Sequence, residues 1–97
     1  MSDDATDSQP DDPPPPLLLN LQVRGRDKLD SISHARTRMA ERGIDVDRIV
    51  DTLIDPETEG PASKPPHLRV SKRRADGRVI NVVFDDLPDR VRVISVF

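Results

Sequence analysis

Apolar residues recur along this chain in two periods, and the change from one to the other divides it. In Leu17–Val23 (LLLNLQV), Leu17, Leu19, Leu21 and Val23 alternate with Leu18, Asn20 and Gln22. That is the period-two signature of a strand with one buried face. Arg24-Gly25-Arg26 reads as the turn that ends it. The period then lengthens. Ile32, Ala35 and Met39 fall at i, i+3 and i+7, which predicts a helix with Ser31 or Ser33 as N-cap and Gly43 as a left-handed C-cap. Val46, Ile49, Val50 and Leu53 predict a second helix, capped by Asp45 and stopped at Asp55-Pro56. Two short helices joined tightly at Gly43-Ile44 make an antiparallel hairpin.

Residues 56–66 (PETEGPASKPP) carry four prolines and read as a loop. From His67 the period-two pattern returns. Leu68, Val70 and Lys72 share one face of a strand, and His67, Arg69, Ser71 and Arg73 share the other. Ala75-Asp76-Gly77 supplies a hairpin turn, because Asp-Gly tolerates positive φ. Val79–Phe84 (VINVVF) is apolar and β-branched, as a central strand should be, and Arg90–Phe97 (RVRVISVF) is a last strand after the turn at Asp85–Asp89. The expected fold is α+β, in the order β-α-α-β-β-β: a helical hairpin packed on a mostly antiparallel sheet of three to four strands. Phe84 and Phe97 are expected in its core.

Composition changes this picture mainly at the N-terminus. Residues 1–16 hold five Asp, five Pro and no Lys or Arg, a combination that cannot bury enough apolar surface to offset chain entropy. They are expected to form a disordered acidic tail, with residues 17–97 as a single domain. The formal net charge of −3 describes that tail, since the rest of the chain carries 15 basic against 13 acidic residues. With no cysteine, the chain has neither disulfides nor thiolate metal sites, which suits a reducing compartment. The longest apolar run, Leu17-Leu18-Leu19, is too short for a membrane span or an export signal. A soluble, cytoplasmic protein with no membrane association is expected.

The strongest chemical signal is basic. Between Lys64 and Arg78 the chain carries Lys64, Arg69, Lys72, Arg73, Arg74 and Arg78 with His67, against Asp76 alone. A surface this cationic attracts phosphates, and the alternative is a charged edge strand that resists sheet aggregation. His34, Arg38 and Arg42 lie four residues apart along the first helix, beside its apolar stripe. A histidine among arginines can carry protons in RNA cleavage without metal, although a boundary histidine is more often structural. Two histidines without cysteine make a histidine metal site a poor fit, and neither a phosphate loop nor a serine-nucleophile motif is present. No cofactor is expected. With no Trp or Tyr, and both Phe assigned to the core, stacking on unpaired bases is not expected either.

Ser33-His34-Ala35, Arg38-Met39 and Glu41-Arg42-Gly43-Ile44 together resemble the HA-x-x-R-M-x-E-R-G-I opening of a small prokaryotic domain family of unknown function. The resemblance extends over roughly residues 31–97, through Arg69–Arg74, Val79–Phe84 and Arg92–Val96. That family is similar to the RelE/ParE toxin superfamily. By this resemblance the fold would be RelE/ParE-like and the protein a toxin-family member acting on RNA, with metal-independent endoribonuclease activity as its catalytic form. His34, Arg38 and His67 would be the catalytic candidates. Arg42, Arg69, Lys72, Arg73, Arg74 and Arg92 would bind nucleic acid. RNA or the ribosome, and a cognate antitoxin protein, would be its partners. The alternative is a non-catalytic module of the same fold that binds nucleic acid or protein, including target poisoning of the ParE type. The chain departs from several such ribonucleases in having no Tyr.

Overall fold

A computed structural model describes residues 17–97; the expected acidic tail, 1–16, lies outside the described residues. In chain order the elements are β1 (Leu17–Val23), β2 (Arg26–Ser31), α1 (Ser33–Arg42), α2 (Val46–Ile54), β3 (Thr58–Pro61), β4 (Leu68–Arg73), β5 (Val79–Asp86) and β6 (Val91–Val96). The strands form one six-stranded sheet in the order β1-β2-β6-β5-β4-β3. Every pairing is antiparallel except β2 with β6. The α+β class, the two helices and the mostly antiparallel sheet stand, but the sheet is larger than the three to four strands expected.

Two strands account for the difference. β2 is hidden in the sequence because Arg26, Asp27, Lys28 and Asp30 leave Leu29 as its only apolar residue. It is a strand because it pairs on both sides, Leu29 lying opposite Leu17 of β1 and Val91 of β6. The expected first strand, Leu17–Val23, is β1, and with β2 and β3 added the full order is β-β-α-α-β-β-β-β. β3 arises inside the expected loop, where Glu59 and Gly60 pair with Val70 and Arg69. It is only four residues long and ends at Pro61, which keeps this edge short.

The helices end much as their sequences predict. Gly43 closes α1 in the left-handed region (φ 64°), and the Asp45 side chain accepts a 3.0 Å bond from the Arg48 amide to cap α2. At the start of α1 the cap position is Ile32 rather than a serine, with no side-chain capping bond.

Both helices cover one face of the sheet. Val70 of β4, Ile80, Val82 and Phe84 of β5, and Val91, Val93 and Val96 of β6 are buried there with Ala35 of α1 and Ile49 and Leu53 of α2. α1 lies against β6, and α2 against β1, β4 and β5. The sheet curls to accommodate them. Arg24, in the β1–β2 turn with φ 55° before Gly25 at φ 83°, sets its guanidinium 4.9 Å above the buried Phe84 ring. It also donates to both carboxylate oxygens of Glu59 at 3.1 and 2.8 Å. Glu59 sits on β3, at the opposite end of the strand order from β1. This ion pair therefore clasps the two ends of the sheet around the helices, and the bond raises the Arg24 pKa and lowers that of Glu59.

Candidate nucleic-acid interface

The basic residues of the β4–β5 hairpin gather at one end of the sheet. The turn is tight: the Arg74 amide donates to the Arg78 carbonyl at 2.6 Å and the Gly77 amide to the Arg74 carbonyl at 3.0 Å. Gly77 takes φ 89°, which a residue with a Cβ rarely adopts. Asp76 accepts from the Arg78 amide at 3.0 Å. That bond first, and then the Arg74 and Arg78 charges, lowers its pKa. The single acid of the hairpin is thus spent on the turn itself.

α1 delivers a further arginine to this place. Because Gly43 turns the chain back, Arg42 at the helix end lines a shallow cavity of about 70 Å³ with Arg74, Arg78 and Phe97. On the other side of Arg74, Arg48 of α2 lines a second cavity of about 150 Å³ with Asp51, Thr52, Lys72 and Arg73, Asp51 being engaged by Lys72. Arg42, Arg48, Arg73 and Arg78 make no ion pair among the described residues. Arg74 Nε is buried, 3.9 Å from Asp76 Oδ2, and has no hydrogen-bond acceptor among the described residues. Four cations outside any ion pair around a half-satisfied fifth form a surface on which anions would bind.

The other candidates are placed elsewhere. Lys72 is held by α2, at 3.0 Å from Asp51 and 3.3 Å from Asp55, and it ties β4 to that helix. Arg92 is committed to Asp30 of β2, donating at 3.1 and 3.2 Å, while Arg90 donates to the same carboxylate at 2.9 Å. The Asp30 side chain is fully buried. Arg69 is exposed on the sheet face away from the helices, in register with Val83.

His67 lies on that same open face, its Nδ1 2.5 Å from Asp85 Oδ1. Asp85 is opposite Arg92, and Arg92 is opposite Asp30, so a polar row runs from His67, just before β4, across β5 and β6 to Asp30 of β2. His34 is exposed in the first turn of α1, on the helical side, and Arg38 lies 3.6 Å from Glu41 one turn along. The two histidines are therefore on opposite sides of the sheet, and His34 and Arg38 join neither His67 nor the hairpin. The arrangement unites Arg42 with Arg74 and Arg78, leaves Arg73 in the neighbouring cavity, and separates His34 and Arg38 from them.

Three residues at this end carry little or misleading signal in the sequence. Arg78 belongs to the basic run, but nothing local gives it a role apart from its neighbours. Arg48 offers only its charge. Phe97 is expected in the core, whereas it is 44% exposed beside the arginines; Val96 fills the core position instead. No three His, Asp or Glu residues converge as a metal site among the described residues. No helix there is long and apolar enough to cross a membrane.

Two helices clasped by a curled, mostly antiparallel sheet, with arginines outside any ion pair at one end, define a small α+β domain. Residues 33–97 match the family described as domain of unknown function DUF4258, and the chain belongs to that family. The match begins at α1 and takes in both helices and β3 to β6, leaving β1 and β2 outside it. No curated protein and no solved structure matches the chain.

Proposed function

We propose that the protein acts on RNA as a RelE-like, toxin-type domain, engaging the phosphate backbone through Arg42, Arg48, Arg73, Arg74 and Arg78. The observation that carries this reading is the arrival of Arg42, from the helical hairpin, in one cavity with Arg74 and Arg78 of the β4–β5 turn. Two separate elements supply uncompensated charge to one place, which an aggregation-resistant edge would not require. With β1 and the short β3 left out, the remaining elements follow the β-α-α-β-β-β order that the RelE/ParE resemblance implies. Retention of RNA at increasing salt tests the reading. Arg73→Gln with Arg78→Gln should weaken binding and flatten the salt dependence, by a log–log slope of roughly 0.7 for each phosphate no longer neutralised. Unchanged retention and slope in that double variant would overturn it.

A second reading, metal-independent cleavage of RNA, has its own support in the His67–Asp85 pair. If Nδ1–H donates to Asp85, Nε2 is left free to take a proton from a 2′-hydroxyl attacking the adjacent phosphate. Arg69, exposed on the same face, would face the charge that develops. Induction in a bacterial host separates the readings. Growth arrest with fragmented RNA, lost in His67→Ala, indicates cleavage. Arrest with intact RNA indicates ParE-type poisoning of a protein target, which a cognate antitoxin would mask. Tight RNA binding without arrest leaves the non-catalytic module.

A further inference from the structure

We propose that the end of the sheet takes an unpaired nucleotide, its phosphate among Arg42, Arg74 and Arg78 and its base stacked on Phe97. The proposal rests on the reading that the basic end engages RNA, and it specifies the form of RNA: single-stranded.

The two phenylalanines of the chain have different surroundings. Phe84 is fully buried, as an aromatic residue in a small core should be, whereas Phe97 is left 44% exposed. One exposed apolar residue means little by itself. This one, however, lies beside Val79, itself 46% exposed, and both line the cavity that Arg42, Arg74 and Arg78 share. A cationic cavity bordered by an apolar ring is the combination a nucleotide requires, since a phosphate needs charge and a base needs a flat apolar face. An anion lacking a base, such as a phosphopeptide group, would use the arginines and leave the ring idle.

The main chain that carries the ring is also held in place. The Phe97 amide donates to the Asn81 carbonyl at 3.0 Å, and the Asn81 amide donates to the Phe97 carbonyl at 2.8 Å. A platform whose main chain is fixed before binding loses little freedom when a base settles on it. The cavity, at about 70 Å³, has room for an oxyanion but not for a nucleoside as well. The base therefore lies along its rim, against the exposed sides of Phe97 and Val79. On the cavity side, Arg42 and Arg78 have no acidic partner among the described residues, and Arg74 Nε lacks an acceptor that an oxyanion would supply. In a duplex each base is already stacked between its neighbours and cannot reach the ring. Selectivity for a single strand is the consequence.

Fluorescence anisotropy with three labelled probes of equal length tests this: a single-stranded oligoadenylate, the same backbone without bases, and an RNA duplex. The wild-type protein should bind the base-bearing strand roughly tenfold more tightly than the abasic one, the scale of one stacked base. Phe97→Leu keeps an apolar side chain but removes the flat face. It should erase that preference while leaving abasic and duplex binding unchanged. Phe97→Trp should restore the preference, and its fluorescence should be quenched as the base stacks. Arg78→Gln should weaken all three probes together. If Phe97→Leu binds the base-bearing strand like the wild type, or the wild type does not distinguish it from the abasic backbone, the nucleotide site is wrong while RNA binding stands. If none of the probes binds at low salt, the RNA reading itself fails.

Discussion

Arg92 offers the sharpest separation of structure from function, because sequence assigns it to RNA and the fold assigns it to Asp30. Its side chain, 31% exposed, donates from Nε and Nη2 to a carboxylate with no exposure at all. Removing one partner of a buried ion pair costs about 3–5 kcal/mol when the remaining charge is stranded. Here Arg90 Nη1 stays 2.9 Å from Asp30 Oδ2, and solvent reaches part of Arg92, so Arg92→Ala should cost about half as much, roughly 2 kcal/mol. For a domain of this size each kcal/mol moves Tm by about 4–8 °C, which gives a drop on the order of 8–16 °C. Thermal melting followed by circular dichroism measures it. Arg69→Ala is the control: an exposed arginine with no ion-pair partner among the described residues, it should stay within about 0.5 kcal/mol of the wild type. RNA affinity, measured well below the melt, should be unaffected by Arg92→Ala. A variant that melts like the wild type but loses RNA would refute the reasoning and return Arg92 to the interface.

The Arg24–Glu59 clasp makes stability sensitive to acid. The native Glu59 pKa is lowered, so the clasp's contribution is complete above the ordinary glutamate value, near about 4.3, and is lost as pH falls through the lower native value. Melting temperature should therefore fall less steeply from pH 5 to pH 3 in Glu59→Gln than in the wild type, and parallel curves would count against the clasp. Deleting residues 1–16 removes five Asp and takes the formal charge from −3 to +2, so RNA affinity at low salt should rise. An unchanged affinity would show that the tail does not compete for the basic end. Finally, a fragment beginning at Ser33, the start of the family match, should express as an aggregate or an unfolded chain, whereas residues 17–97 should melt cooperatively; a cooperative melt of the fragment would show that β2 is dispensable.

Wherever a local rule decides the conformation, the chain is legible. Gly43 and Asp45 terminate their helices through backbone freedom and a side-chain oxygen, both visible in a window of a few residues. The alternation in Leu68–Arg73 sets Arg69 and Arg73 on the face opposite Val70 and Lys72, since a strand permits only two faces. What is illegible depends on partners distant in sequence. β2 looks like a polar loop until Arg90 and Arg92, sixty residues on, neutralise Asp30. Lys72 looks like a free cation until α2 presents Asp51 and Asp55 to it. Phe97 looks like core because apolar strands usually bury every other residue. The register shift between β5 and β6 puts Val93 and Val96, three apart, on the buried face instead, and leaves Phe97 at the rim.

The same long-range pairing bears on what the family segment needs from outside itself. Within residues 33–97, β6 pairs with β5 on one side only, and its other side is filled by β2, which the family match does not include. Without β2, Val91 and Val93 lose Leu29 and Ser31 from across the ladder, and Arg90 and Arg92 lose the carboxylate they share. An open strand flanked by two unpaired arginines is a poor edge to leave in solution. Some strand must therefore lie beside β6 for α1 to pack as it does, and here residues 26–31 supply it from the segment just before the helix. Because α1 starts within two residues of that strand, β2 also fixes where the helix begins, and hence where Arg42 arrives eight residues beyond His34. The charge that looks least like a strand, Asp30, thus helps to position the arginine that completes the basic end.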